Sequence, residues 1–310
     1  MSSKLHRLVA NLGGVALAVQ AVPALAQLTA SAPAMDASGP TFADIADLAE
    51  SAGLVVKAQV RKMVRVEDER APGRAPGMGR FYVTAQTRAL IAGKAPIGES
   101  LVYLVDLPLD SRGKAPNLKK QDVLLFARAV PGRPGELQLV TPTAQQLWTD
   151  QAEARVRGIL KTLLSPDAPV HITGVRELLY VPGNLAGQGE TQIFLNTREG
   201  AAASITVHHE PGSPPAWGVS FSELVADIGN PPQPETIEWY RLACFLPNNP
   251  PPRANVSEGI EDAVRPMPTI ARFWANSAHA AGRSGRVEPG RREVSPMGSA
   301  KVLEFRRGLP

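Results

Sequence analysis

Two stretches of the sequence carry residue types that could support metal or hydrolytic chemistry. His208, His209 and Glu210 are consecutive, and His171 stands further upstream. Imidazoles and carboxylates are the groups that zinc ligation and general-base catalysis use. Successive strand residues point to opposite faces, so His208 and Glu210 share a face that His209 does not. His171, His208 and Glu210 are therefore candidate metal ligands of a hydrolase, and solvent-facing strand residues are the alternative.

Other residues that could carry chemistry have an equally good structural interpretation. Cys244 is the only cysteine, so no intrachain disulfide can form, and its apolar neighbours favour a structural thiol over a nucleophile. The glycine-rich stretch 183–189 lacks the Lys-Ser/Thr ending of a phosphate-binding loop and is typical of a turn. Trp217, Trp239 and Tyr240 fit either an aromatic binding platform or a core. The sequence predicts no cofactor, and it favours a protein without catalytic activity.

The N-terminus has the pattern of a secretory signal peptide. Lys4 and Arg7 precede an apolar run over 8–22, and small residues then stand at the positions that signal peptidase reads. This predicts cleavage between Ala26 and Gln27 and a periplasmic or otherwise extracytoplasmic mature protein. The apolar run is shorter than the roughly 20 residues that cross a bilayer. No transmembrane segment is therefore expected in the mature protein.

The net charge of +4 arises mainly from the C-terminal part of the chain. Lysines and arginines outnumber acids after residue 276, whereas the stretch 27–276 is close to neutral. A near-neutral body lacks the clustered cations that bind a phosphate backbone. The composition therefore argues against a nucleic-acid partner and leaves another exported protein or an envelope component as the expected partner.

Alternating apolar residues predict a β-rich first half. A capping box at Thr41 begins a short helix, and the alternation from Leu54 to Val66 slips by one residue, which indicates a strand with a bulge. Four further strand candidates follow, separated by Gly/Pro-rich turns; their apolar positions are Phe81, Val83 and Ala85; Leu101, Tyr103 and Val105; Val123 to Phe126; and Leu137, Leu139 and Val140. Five strands in so short a segment predict a small closed or half-closed barrel.

Two segments of this half carry a resemblance. Leu90-Ile91-Ala92-Gly93 and the segment 118–126, Leu-Lys-Lys-Gln-Asp-Val-Leu-Leu-Phe, follow the short helix and its strand. In this order, residues 42–140 resemble exported OB-like modules of the netrin and metalloproteinase-inhibitor type. The resemblance implies an OB-like barrel. The N-terminal cysteine through which that inhibitor family engages its protease is absent, so no inhibitory function is implied.

The rest of the chain predicts a helix, a second β-rich half and a tail. Thr141-Pro142 and the helical spacing from Trp148 to Leu163 predict a long linking helix. Strands are predicted over 170–181, 190–197 and 203–209, whereas 236–246 is apolar on nearly every face and fits a helix or a strand. The fold class is therefore mainly β (α+β), with these segments: 1–26 signal peptide, 27–40 flexible lead-in, 41–140 OB-like domain, 141–166 linking helix, 167–252 second β-rich domain, and 253–310 mostly disordered tail.

Overall fold

The computed structural model describes residues 39–222, 228–247, 250–251 and 253–257. The predicted signal peptide, nearly all of the lead-in and the tail beyond residue 257 lie outside these residues. The described part is mainly β, as predicted, and none of its helices is long and apolar enough to cross a membrane. Its helices are α1 (Phe42–Ser51), α2 (Asp150–Leu163) and α3 (Ile237–Phe245), and its strands are β1 (Leu54–Arg65), β2 (Met78–Gly93), β3 (Ser100–Pro108), β4 (Asp122–Val130), β5 (Arg133–Leu139), β6 (Gln145–Leu147), β7 (Ile172–Pro182), β8 (Gly189–Thr197), β9 (Ser204–His209) and β10 (Ala216–Ser220).

Strands β1 to β5 form a closed barrel. Their order is β1-β2-β3-β5-β4, and β4 pairs back onto β1 with Leu54 opposite Ala127. The pairs are antiparallel except that of β3 with β5, which is parallel at Val102 and Glu136. Inward-pointing side chains of all five strands fill one core. The predicted small barrel is confirmed.

The bulge in β1 lies where the slipped alternation placed it. Val60 pairs with Ala85 and Lys62 with Thr84, so Arg61 is the extra residue. Val60 and Met63 both pack against the core although three positions separate them. A bulge lets a strand keep its apolar face inward while its curvature increases, which barrel closure requires.

Helix α1 packs into the barrel core with one apolar face. The Thr41 hydroxyl accepts a hydrogen bond from Asp44 N, and the Asp44 carboxylate accepts one from Thr41 N. This is the predicted capping box, which satisfies helix-terminal donors and fixes where the helix begins. Its buried side chains are Phe42, Ala43, Ile45, Ala46 and Ala49.

Helix α2 begins later than the sequence pattern indicated. Thr141 and Pro142 belong to a turn, in which Ala144 N donates to Thr141 O, and β6 then pairs with β4. The helix is capped by Thr149, whose hydroxyl accepts from Ala152 N at 3.0 Å. The predicted start at residue 141 is wrong because Thr-Pro also suits a turn, and pairing with β4 occupies the backbone that an earlier helix would need.

A second, four-stranded antiparallel sheet follows with the order β10-β9-β8-β7. The three strands predicted here are confirmed as β7, β8 and β9, whereas β10 was not predicted. Residues 254–257 run along the outer edge of β7, where Leu178 N donates to Ala254 O and Val256 N to Leu178 O. Ala254 is buried in the core of this sheet. The folded body therefore extends past the predicted boundary at residue 252, because the prolines end α3 without ending the packing.

Helix α3 contributes to both cores. Ile237, Trp239 and Tyr240 pack with the barrel, whereas Leu242 and the residue that follows the helix, Leu246, pack with the second sheet. The segment is apolar on nearly every face for this reason, which explains why its period alone did not separate helix from strand. Helix α2 links the two halves along the chain, and α3 joins their cores.

Candidate binding face

Three large apolar side chains form a row on the outside of the barrel. Val64 on β1 lies opposite Tyr82 on β2, which lies opposite Leu104 on β3. Their exposed fractions are 46%, 38% and 47%. Side chains directly opposite one another on neighbouring strands have Cβ atoms about 5 Å apart, so the three make one continuous strip, called here the apolar row.

The strand pairing holds the apolar row in place. Met63, Val83 and Tyr103, one residue away on each strand, form the matching row that packs against the core. The Tyr103 hydroxyl donates to Gln145 Oε1 at 2.6 Å, and burial raises its pKa so that it stays a donor. A register slip would exchange the two rows and expose the core row. The apolar row is thus a fixed feature of the barrel surface.

A charged pair borders one side of the apolar row. Arg80 and Asp106, two residues along β2 and β3, form a bidentate ion pair with N–O distances of 2.7 and 2.8 Å. Asp106 is only 5% exposed, and its hydrogen bond raises the pKa of Arg80. Because each charge neutralises the other, this pair presents no net charge beside the row.

A set of exposed cations, called here the basic strip, borders the other side. It consists of Arg61 and Lys62 on β1 and Arg88 on β2. The Arg61 guanidinium donates to Gln86 Oε1, and that of Arg88 donates to Gln59 Oε1 at 2.8 Å. These bonds orient both guanidiniums without neutralising them. Among the described residues, the carboxylate in ion contact with the strip is that of Asp122, 4.0 Å from Arg88.

The start of α2 covers the adjacent part of the barrel surface. Lys57 Nζ lies 3.3 Å from the centre of the Trp148 ring and 3.5 Å from Glu153 Oε2. Trp148 Nε1 donates to Glu153 at 2.6 Å, and this bond, with that from Arg157, lowers the pKa of Glu153. Trp148 is half-buried here, ahead of the helix on which the sequence pattern placed it. The outer barrel surface therefore divides into a covered part near Lys57 and the open face that carries the apolar row.

The three predicted metal ligands are not brought together. His171 adjoins the end of the second sheet where Ile172 pairs with Thr197, whereas His208 lies opposite Glu190. Seven residues of β8 separate those positions, a distance of roughly 23 Å along a strand. Across the part of the chain that the structure describes, no three His, Cys, Asp or Glu side chains are placed to hold a metal ion. The geometry expected of a metal hydrolase using His171 is thus not present.

The predicted ligands at the end of β9 have hydrogen-bond partners of their own. His208 Nε2 lies 2.5 Å from Glu190 Oε2, and Glu210 accepts a hydrogen bond from Gln188 at 3.3 Å. Burial alone would raise the pKa of Glu190, but hydrogen bonds from Gln192 and His208 outweigh this and hold it low. His209 points to the opposite face, as predicted, with Nε2 2.8 Å from the Thr191 hydroxyl. These contacts stabilise pairing at one end of the sheet.

Helices α1 and α3 meet in a network of buried polar groups. Arg241, 4% exposed, places Nη1 2.9 Å and Nη2 2.8 Å from the Glu50 carboxylate and donates to Pro169 O. Burial alone would raise the pKa of Glu50, but the Arg241 hydrogen bonds outweigh it and lower the value. Burial raises the pKa of Tyr240, whose hydroxyl donates to Asp47 at 2.5 Å. Trp239 and Tyr240 are buried, so their core interpretation is confirmed.

A pocket of about 210 Å³ adjoins this network. Glu50 and Arg241 form its charged wall, and the rest is mainly apolar; its other lining residues are Ala49, Ala52, Gly53, Leu54, Val55, Ala92, Gly93, Leu160, Leu163 and Leu164. The two charges are paired with each other, so the pocket presents no net charge. Neither a nucleophile nor a histidine lines it.

Sequence reasoning identified the core side of the barrel strands and missed the apolar row. The alternating apolar positions that predicted β2 and β3, among them Phe81, Val83, Leu101, Tyr103 and Val105, are all buried. The available signal was an apolar residue between two inward apolar residues, as at Tyr82 and Leu104. Only the register shows that these residues, with Val64, stand side by side.

The chain was compared with protein families and with curated proteins. No family model matches the chain, and a search of curated proteins also finds no match. The fold and the face together define a mainly β protein built on a closed five-stranded barrel, with an exposed apolar row across its first three strands.

Proposed function

We propose that this chain works outside the cytoplasm as a binding module, and that the outer face of β1, β2 and β3 docks a segment of another exported protein. The observation that carries the proposal is the apolar row, in which Val64, Tyr82 and Leu104 stand in register and exposed. Single exposed apolar residues are ordinary, and interaction sites are marked by apolar residues that form a contiguous patch of several hundred Å², of which the row would form the centre.

The barrel topology supports the same face. OB folds, which residues 42–140 resemble in sequence, bind oligonucleotides and oligosaccharides on the face of strands 2 and 3, and here these strands carry Tyr82 and Leu104. Covering the exposed part of each row side chain would contribute about 1–2 kcal/mol from apolar burial. Three such contacts supply about 3–6 kcal/mol, which is comparable with the cost of association, so polar contacts around the row must contribute the rest of the affinity.

The location outside the cytoplasm is supported by the signal-peptide pattern that ends at Ala26. The expected mature N-terminus is Gln27. Intact-mass measurement of protein recovered from the exported fraction tests this directly. A main product that keeps residues 1–26 would contradict it.

The binding proposal is tested with matched surface variants. Purified protein, Leu104→Ser protein and a control, Leu147→Ser, are immobilised and exposed to the exported fraction of the source cells. Leu147 is exposed on β6 at 57%, away from the row. We expect a protein that the native chain and the control retain and Leu104→Ser loses.

The retained protein is then identified, purified and titrated against each variant by calorimetry. A Kd at least about tenfold weaker for Leu104→Ser, equal to 1.4 kcal/mol, is the expected result. If Leu147→Ser weakens binding as much as Leu104→Ser, or if no retained protein binds again after purification, the proposal fails.

A further inference from the structure

The basic strip indicates what kind of segment the apolar row receives. Arg61, Lys62 and Arg88 are exposed cations on the same outer face as the row. Lys62 lies two residues from Val64 along β1, which is about 7 Å on a strand, and the strip continues away from the row. A ligand that covers the row and runs along β1 and β2 towards Gln59 therefore lies over these charges.

The arrangement of the two arginines favours carboxylates. Hydrogen bonds to Gln86 and Gln59 hold the guanidiniums in place, so less side-chain entropy is lost when an anion binds. The outward N–H groups of a guanidinium match the two oxygens of a carboxylate. Asp122, at 4.0 Å from Arg88, offsets only part of the positive charge of the strip.

The row itself favours a peptide over a nucleic acid or a glycan. Single strands of nucleic acid bind through several aromatic stacking surfaces beside a cationic groove. The row holds one aromatic ring, that of Tyr82, between the aliphatic side chains of Val64 and Leu104. Aliphatic contacts suit the apolar side chains of a polypeptide.

We propose that the face formed by the apolar row and the basic strip binds an acidic protein segment in which apolar residues are followed by carboxylates. This inference rests on the proposed function and adds the chemistry of the partner. The apolar side chains of the segment cover Tyr82 and its neighbours, and its carboxylates pair with Arg61, Lys62 and Arg88.

The test uses a fluorescent random copolymer of glutamate and tyrosine as the probe and full-length protein. Fluorescence anisotropy gives the Kd of native protein, of Arg61→Gln/Arg88→Gln and of the control Arg112→Gln/Arg128→Gln. The control removes the same charge from exposed arginines outside the strip. We expect the strip variant to bind at least about tenfold more weakly, with weaker binding in high salt because salt screens exposed charges.

Comparison probes and a row variant separate the possible failures. Polyglutamate, alginate and oligothymidylate should each bind more weakly than the copolymer. Equal losses in both arginine variants, absence of native binding, or alginate or oligothymidylate binding as tightly as the copolymer would overturn the acidic-peptide inference. If Leu104→Ser loses binding while Arg61→Gln/Arg88→Gln keeps it, the inference fails and the proposed function stands. If only the arginine variant loses binding, the apolar row takes no part, and the proposed function fails together with the inference that rests on it.

Discussion

At the scale of single residues, the most constrained group is Arg241. Its guanidinium is buried between α1 and α3 and bonds to Glu50 and to the carbonyl of Pro169. A buried charge is stable only while its partner remains, since removing one member leaves the other desolvated and uncompensated. This ion pair therefore links α1 to α3. Because Glu50 already neutralises Arg241, the guanidinium is not available to bind another anion.

Replacing Arg241 should destabilise the protein strongly. We expect Arg241→Ala to lower the free energy of unfolding by about 3 kcal/mol or more, from the lost packing and the uncompensated Glu50 carboxylate. Glu50→Gln should cost less, because Glu50 is the more exposed partner and an amide oxygen can still accept. Urea melts of the two single variants and the double variant measure the coupling. Additive losses would show that the pair does not act as a unit.

His171 adds a pH dependence to the same junction. Burial lowers its pKa below the ordinary value of 6.5, although the nearby Glu50 carboxylate opposes this and Arg198 and Arg241 add to it. A lowered folded-state pKa means that its contribution is complete above about 6.5 and is lost as the pH falls through the folded value. The pKa of Glu50 is also lowered, so its contribution falls in the same direction at lower pH.

We therefore expect the Tm of native protein to fall between about pH 7.5 and pH 5.5, where an ordinary histidine gains its proton. His171→Asn should show a shallower decline over that interval, because asparagine does not titrate. Thermal melts at several pH values check this. An identical slope in both proteins would show that His171 does not carry the pH dependence.

At the scale of elements, local sequence signals predicted most strands. They failed where contacts between residues distant in sequence determine the secondary structure. The alternation from Leu54 predicted β1 and its bulge, because one strand face is buried. The start of α2 could not be predicted from Thr141-Pro142, since pairing of β6 with β4 depends on a strand twenty residues away. Residues 254–257 contain little apolar surface, and only the open edge of β7 explains their place in the fold.

The edge pairing predicts a difference between two truncated chains. A chain ending at residue 252 should melt several degrees lower than one ending at residue 257. The shorter chain loses the backbone bonds at Leu178, the bond from Tyr180 N to the Ser257 hydroxyl at 2.9 Å and the buried Ala254. Such bonds contribute about 1 kcal/mol each. Calorimetric melts of both chains measure this difference in Tm. Equal Tm values would mean that residues 253–257 do not stabilise the fold.

At the scale of the whole molecule, α3 joins two cores and leaves the barrel face open. Composition and alternation predicted the β class and the small barrel, because both follow from which residues must be buried. The candidate face could not be predicted, because Val64, Tyr82 and Leu104 come together only through the register of three strands. The suspected ligand set of His171, His208 and Glu210 also depends on register, since the pairing of β7 to β9 keeps His171 far from His208 and Glu210.

The central claim is that the outer face of β1 to β3 is where this protein binds. Carbene footprinting of full-length protein, alone and with the partner recovered from the exported fraction, tests it most directly. The account predicts that labelling falls at Val64, Tyr82 and Leu104 and stays unchanged at Leu147 and Val181, which are also exposed. Unchanged labelling across the apolar row, with protection elsewhere in a complex that is shown to form, would contradict it.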